Sequence, residues 1–192
     1  KKYNFKTIVR LTGDNPLIDP RLVDNYIKFF FKKNYDYLSD STSPTYPDGM
    51  DVEVFNFKSL RKAYISKNSY FDREHVTPYI KKNNIFKRGI FPYKKDYSHL
   101  RITIDEKEDL DCIKEIINYF KPNIHFKFED IIKLYEKKPN MFKSNKNIIR
   151  DEGSRMTDGQ KLWRRAKLSI PNGNMFYSKN PDLILPNYWP TY

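Results

Sequence analysis

The sequence contains little cysteine, histidine and glycine, and each shortage excludes a class of functional site. Its one cysteine, Cys112, cannot form an internal disulfide bond, and a single thiol is typical of a reducing compartment, so we expect a cytoplasmic location. The three histidines and the cysteine do not have the spacing of a zinc site. The six glycines form no glycine-rich phosphate loop, and no serine or cysteine nucleophile is arranged with a histidine and an acid.

Long hydrophobic runs are also missing, and the positive charge is dispersed. The longest apolar run, Ile27 to Phe31, is interrupted by Lys28, whereas a membrane span needs about 20 apolar residues. We therefore expect no membrane partner. The net charge is +12, but 26 of the 36 basic residues are lysines scattered along the chain rather than arginines clustered with aromatics. This pattern predicts no specific nucleic-acid binding, although it is compatible with a small anionic substrate.

The remaining pattern alternates strands with helices. Hydrophobic periodicity predicts strands at 7–11, 35–38, 51–55, 88–91 and 100–104, and helices at 20–33, 57–67, 69–82, 107–120 and 128–137. This alternation is typical of an α/β sheet covered on both sides. We expect one domain over residues 1–138 and a basic, solvated linker over 139–157. A truncated segment over 158–192 follows, with a helix from Asp158 to Ser169 and an irregular tail.

A carboxylate follows the first predicted strand. Asp14 lies in the loop between that strand and a helix that begins at Asp19-Pro20, a favourable N-cap with proline at the first helical position. In open α/β sheets, ligands bind at this edge, beyond the carboxyl ends of the strands. The alternative is that Asp14, Asn15 and Pro16 only form a turn.

The predicted strand that ends at Ile104 repeats this arrangement with Asp105. Two carboxylates from neighbouring strands suit one Mg²⁺, which prefers one or two carboxylates, waters and phosphate oxygens. Such an ion would neutralise a triphosphate and organise in-line attack at its α-phosphorus. The alternative is that Asp105 only complements the N-terminus of the next helix.

Two further polar clusters are candidates for a sugar pocket. Residues 46–53 supply Asp48, Asp51 and Glu53, which can accept hydrogen bonds from hydroxyl groups, and residues 73–75 supply Arg73 and His75, which can face an anionic group. The alternatives are an ordinary turn at Asp48 and a solvated helix face at residues 73–75.

Four ordered blocks carry a family resemblance. They are Ile8–Pro20 (IVRLTGDNPLIDP), Thr45–Phe55 (TYPDGMDVEVF), Arg73–Ile80 (REHVTPYI) and Arg101–Leu110 (RITIDEKEDL). In this order they resemble the spore coat polysaccharide biosynthesis cytidylyltransferase-like family, which is related to the synthetases of CMP-activated sugar acids. The resemblance implies a Rossmann-like nucleotide-diphospho-sugar transferase sheet, here partial, and a nucleotidyltransferase that uses CTP and a sugar acid or sugar phosphate for surface polysaccharide. A homodimer is compatible with it.

The resemblance also implies roles for individual residues. Asp14 and Asp105 correspond to catalytic aspartates that bind Mg²⁺. Substrate-binding positions correspond to Arg10, Thr12, Gly13, Asp48, Asp51, Glu53, Arg73 and His75. The family's opening strand and nucleotide-cradling loop have no counterpart here, so we expect an N-terminally truncated, inactive chain.

A second resemblance lies in the tail. Residues 158–174 (DGQKLWRRAKLSIPNGN) and 187–190 (NYWP) resemble the entry segment of class III aminotransferases of the glutamate-1-semialdehyde type. This implies a fusion whose lysine for pyridoxal phosphate would lie beyond Tyr192. The alternative function is therefore a non-catalytic module that positions the fused aminotransferase.

Overall fold

The computed structural model describes residues 4–66, 70–148, 150 and 158–170, and the chain divides into two units after Asn147. In the first unit, strands β1 (Thr7–Arg10), β2 (Tyr37–Leu38), β3 (Glu53–Asn56) and β4 (Arg88–Gly89) form one sheet in the order β1-β3-β2-β4. Strand β3 is antiparallel to both β1 and β2, and β2 is parallel to β4. Strands β1, β2 and β4 therefore share one direction, and their carboxyl ends lie at one edge of the sheet.

Helices alternate with these strands, which confirms the α/β fold. They are α1 (Pro20–Lys33), α2 (Phe57–Ile65), α3 (Tyr70–His75), α4 (Pro78–Lys82), α5 (Lys107–Phe120) and α6 (Phe128–Lys137), followed by a 3₁₀ turn at Pro139–Phe142. The bounds of α1, α5 and α6 are those that the periodicity predicts. None of the helices in the described ranges is long and apolar enough to cross a membrane.

Hydrophobic clusters cover both faces of the sheet. Successive strand residues point to opposite faces, so Leu38 and Val54 join the larger cluster, with α1, α5 and α6, while Tyr37 and Phe55 join a smaller one. Residues of α2 and α4 complete the smaller cluster. The sheet is therefore covered on both sides, as predicted.

Several local predictions are wrong. The helix predicted over 69–82 is broken, because Val76 has φ 67°, a left-handed conformation that a β-branched residue in a continuous right-handed helix does not adopt. Residues 100–104 form no strand, only a single bridge between Arg101 and Asp48. The backbone N–H groups of Ile102 and Ile104 instead donate to loop carbonyls of Asp48 and Asp14.

Two helix faces differ from what hydrophobic spacing alone indicates. Tyr64 in α2 is 87% exposed and Leu110 in α5 is 38% exposed, although hydrophobic spacing places both inward. In α5 the buried positions include Asp109 and Cys112. Burial of the acid is possible because Asp109 accepts hydrogen bonds from backbone N–H groups at the start of the helix.

The stretch predicted to be a solvated linker is partly packed. Phe142 and Asn145 are 6% and 2% exposed, and the first unit extends to Asn147. In the second unit the described helix, α7 (Asp158–Ser169), has the predicted bounds. The predicted linker residues 151–157 and the tail from 171 to 192 lie outside the described residues.

Candidate active site

The loop that carries Asp14 is fixed at both ends. After β1, the Asn15 side-chain amide donates to Thr12 Oγ1 at 3.0 Å, and Asn15 itself is 7% exposed. At the far end, Asp19 caps α1 by accepting a hydrogen bond from the Arg21 N–H at 2.8 Å, and it accepts a second from the Phe128 N–H at 2.9 Å. These bonds hold the loop at the carboxyl-end edge of the sheet.

Asp14 joins this loop to the segment that leads to Asp105. Its carbonyl accepts hydrogen bonds from the Ile104 N–H at 2.9 Å and from Thr103 Oγ1 at 3.1 Å. Its carboxylate Oδ1 is buried and accepts no hydrogen bond from the described part of the chain. A buried carboxylate oxygen without a donor is costly, and a bound cation would satisfy it.

Arg101 organises the second half of the site. Its side chain is 8% exposed, and its Nε and Nη2 donate to the two carboxylate oxygens of Asp109 at 2.8 and 2.9 Å. Its Nη1 donates to Asp48 at 2.7 Å, and Nη2 also donates to Asp105 at 2.6 Å. One buried guanidinium therefore holds three carboxylates, two of which are predicted site residues.

Asp109 is the most buried member of this network, with 0% exposure. It also accepts from the backbone N–H groups of Asp105 and Glu106 at 3.0 Å and from the Asn145 amide at 2.8 Å. Burial alone would raise its pKa, but the hydrogen bonds from Arg101 and these neighbours hold the pKa of Asp109 below its usual value. Likewise, burial opposes the charge of Arg101, but its hydrogen bonds to Asp109 and Asp105 raise the guanidinium pKa.

The turn at Gly49 brings the predicted sugar-pocket loop against residues 101–103. Gly49 has φ +105°, and a Cβ there would lie 2.6 Å from the carbonyl carbon and oxygen of Ile102. Only glycine permits this close approach. The Gly49 N–H also donates to Asp51 Oδ2 at 3.1 Å. The structure thus brings Asp48 to the segment that carries Asp105, whereas Asp51 accepts a hydrogen bond within the turn itself.

Glu53 lies elsewhere, in a network of its own. The alternating pattern places it on a polar face, but it is 4% exposed. Its Oε1 accepts hydrogen bonds from Tyr37 at 2.6 Å and Thr77 at 2.8 Å and pairs with Lys81 at 2.8 Å, and its Oε2 pairs with Arg10 at 2.7 Å. Burial raises its pKa, but Lys81, Tyr37 and Arg10 bring the pKa below the usual value. Protein donors surround this carboxylate, and Arg10 is paired with it, so the predicted role of Glu53 and Arg10 in substrate binding stays a prediction.

The remaining predicted substrate-binding residues either lie away from the Asp14 loop or border open space. Arg73 is exposed and His75 half-buried on α3, and the following residues Thr77 and Lys81 contact Glu53 rather than the Asp14 loop. Thr12 bonds Asn15, whereas Gly13 is exposed and a Cβ there would meet nothing within 4 Å. Gly13 therefore borders open space beside Asp14.

Sequence reasoning missed the structural role of Arg101, Asp109 and Asn145. The sequence did carry a signal for Arg101 and Asp109. An arginine in an apolar segment is followed by aspartates four and eight residues later, which indicates a possible ion pair. Asn145 carried no signal, because it lies in a stretch whose composition indicates a linker. Among the described residues, no group of three or more histidine, cysteine or acidic side chains could hold a metal ion. Asp14 and Asp105 remain a two-carboxylate candidate.

Comparisons with known proteins agree with this architecture. The profile of a family described as cytidylyltransferase matches residues 1–148. An uncharacterized protein of Methanocaldococcus jannaschii is 35% identical over 151 residues, which cover 77% of this chain and 60% of that protein. The spore coat polysaccharide biosynthesis protein SpsF of Bacillus subtilis is 34% identical over 112 residues, which cover 57% of this chain and 46% of SpsF.

A solved structure supports the same assignment. A cytidylyltransferase from Leptospira borgpetersenii serovar Hardjo-bovis matches with a TM-score of 0.72 and 34% identity, over 78% of this chain and 63% of that one. The chain thus spans less than two thirds of the length of each of these relatives. Since the family profile covers all four sequence blocks and the sheet that carries them, the chain belongs to the cytidylyltransferase family.

Proposed function

We propose that the protein to which this chain belongs is a Mg²⁺-dependent cytidylyltransferase that activates a sugar acid or sugar phosphate with CTP for surface polysaccharide. Family membership supports this reaction class, and similarity to SpsF, a spore coat polysaccharide biosynthesis protein, supports the role in polysaccharide formation. The observation that carries the site assignment is Asp14, whose buried Oδ1 has no donor within the described chain and whose backbone is bonded to the residue before Asp105.

The donor set fits Mg²⁺. This ion takes carboxylate oxygens, waters and substrate phosphates, and it needs only one or two protein carboxylates. Asp14 offers an unsatisfied oxygen, and Asp105 is 54% exposed and bonded to Arg101 through Oδ2. When bound, the ion would neutralise charge on the triphosphate.

The chain's own residues would position the carboxylates and leave room for the substrate. Arg101 keeps the Asp105 and Asp48 carboxylates in position. An oxygen of the acceptor sugar would attack the α-phosphorus of CTP, forming one oxygen–phosphorus bond while the bond to pyrophosphate breaks. Open space at Gly13 would admit the phosphates close to the backbone.

The proposal that the same polypeptide continues into a pyridoxal-phosphate-dependent aminotransferase rests on residues 158–174 and 187–190 alone. The match to the cytidylyltransferase family ends at residue 148. This fusion stays a prediction.

The test is CTP-dependent pyrophosphate release by the full-length protein with Mg²⁺ and candidate acceptors. We expect Asp14→Asn to lower the rate by at least about a hundredfold. The matched control Asp24→Asn removes the same charge from the exposed face of α1, and this variant should retain the wild-type rate. If Asp14→Asn leaves the rate unchanged, the metal assignment is wrong.

A further inference from the structure

A second concave site lies two strands away from Asp14. A groove of about 550 Å³ runs between β2, β4 and α4. Its lining includes Ser39 and Ile90, the residues that follow β2 and β4. Because β1, β2 and β4 share one direction, Ser39 and Ile90 lie at the same edge of the sheet as the Asp14 loop.

The groove carries excess positive charge. The ten described residues that line it include Lys81 and Arg88 and no acid. Arg88 donates to the Lys81 carbonyl and to Asn84 Oδ1, which fix its guanidinium, and it forms no ion pair within the described ranges. Within the described residues, Lys81 pairs with one carboxylate, Glu53, and shares it with Arg10. The positive charge of the groove is therefore only partly compensated in that part of the chain.

The rest of the lining is suited to a hydroxylated molecule. Ser39 and Thr42 supply hydroxyl groups beside the cations. One wall is aromatic, since the Tyr35 ring lies against the backbone of Gly89 so closely that a Cβ there would be 2.3 Å from it. Sugar-sized ligands bind in such clefts, where a few polar groups fix their orientation against apolar walls.

We propose that this groove binds a hydroxylated anion, the sugar acid or sugar phosphate that accepts the cytidylyl group. Arg88 recognises the carboxylate or phosphate, because a fixed guanidinium offers two parallel donors to either group. The hydroxyl groups of the ligand bond to Ser39, Thr42 and Asn84. This assignment of the acceptor rests on the proposed function, but binding of the anion does not.

The experiment is an NMR titration of this chain with three probes: glucuronate, glucose 1-phosphate and neutral glucose. We expect one or both anions at millimolar concentration to shift the amide signals of Gly89 and Ile90, and glucose to leave them in place. The tighter anion identifies a carboxylate or a phosphate as the recognised group. Arg88→Gln should weaken the binding of that anion about tenfold or more. The control Arg61→Gln, on the exposed face of α2, should bind it as the wild type does.

Three results overturn the proposal: no shift at Gly89 with either anion, equal binding of glucose, or equal weakening by Arg61→Gln. Since the titration uses neither CTP nor Mg²⁺, binding can succeed where nucleotidyl transfer fails. Conversely, if the full-length enzyme is active and Arg88→Gln does not raise its KM for the acceptor, the groove is not the acceptor site although the proposed function holds.

Discussion

Replacement of Arg101 by methionine tests whether one guanidinium holds the site together. Methionine keeps the unbranched apolar stem but removes the guanidinium N–H groups that donate to Asp48, Asp105 and Asp109. Asp109 is 0% exposed, so it would be left as a buried carboxylate without its cation. Asp105 is 54% exposed and can be solvated instead, so it should contribute little to the cost.

The expected loss follows from burial of the pair. Removing one partner of a buried ion pair costs about 3–5 kcal/mol, chiefly through the uncompensated charge that remains. For a domain of this size each kcal/mol lowers the melting temperature by about 2–4 °C, so a decrease of roughly 6–20 °C is expected. Three hydrogen bonds from Asp105, Glu106 and Asn145 still reach Asp109, which favours the lower half of this range.

The loss in the free energy of unfolding should be larger at neutral pH than at acidic pH. The pKa of Asp109 is lower in the folded than in the unfolded state, so its ionised form stabilises the fold above its unfolded pKa of about 4. This contribution disappears as the pH falls through the folded pKa, because the protonated acid no longer needs the cation. The difference in the free energy of unfolding between wild type and Arg101→Met should therefore be largest near neutral pH and shrink as the pH falls through the folded pKa of Asp109.

Urea denaturation at neutral and acidic pH measures both effects. Arg61→Met is the matched control, since it makes the same replacement at an exposed position and should change the free energy of unfolding by less than about 0.5 kcal/mol. A loss under about 1 kcal/mol at neutral pH, or a loss that grows as the pH falls, would refute the reasoning.

Two further predictions concern close packing. Gly49→Ala should cost about 2–4 kcal/mol in urea denaturation, because a Cβ would lie 2.6 Å from Ile102 backbone atoms at φ +105°, whereas Gly13→Ala, in open space, should change stability by less than about 0.5 kcal/mol. Equal stability of the two variants would contradict the approach of the turn to residues 101–103. Burial, with the charges of Glu115 and Asp109, raises the pKa of the Cys112 thiol to about 11. Its reaction with a disulfide reagent in the native state should therefore be about a hundredfold slower than in urea, and fast native labelling would show that the thiol is accessible.

The sequence predicted best those elements whose local signals agree with their packing. Helix α1 has an N-cap at Asp19, a proline at its first position and one apolar face, and its bounds match. The antiparallel pairing of β3 was not predicted, because strand direction depends on contacts between distant residues. The segment at 100–104 has the apolar residues of a strand, but loop carbonyls of Asp14 and Asp48 take its N–H groups.

The sequence predicted several residues of the site, but it did not predict the hydrogen bonds and ion pairs that connect them. Asp14, Asp48 and Asp105 belong to loops that the structure joins through backbone bonds and Arg101. Alternation placed Glu53 with the polar residues, but it cannot reveal that four distant donors surround that carboxylate. Networks of buried charge depend on tertiary contacts, so a single sequence carries little information about them.

The most direct test of the account is the binding of Mn²⁺, a paramagnetic substitute for Mg²⁺, to this chain, followed by NMR line broadening. If Asp14 and Asp105 share the cation, substoichiometric Mn²⁺ should broaden the amide signals of Gly13 and Glu106 together. Asp14→Asn should remove the broadening from both loops, and Asp24→Asn should preserve it. Broadening that survives Asp14→Asn, or that affects only one of the two loops, would contradict the shared metal site on which the proposed nucleotidyl transfer depends.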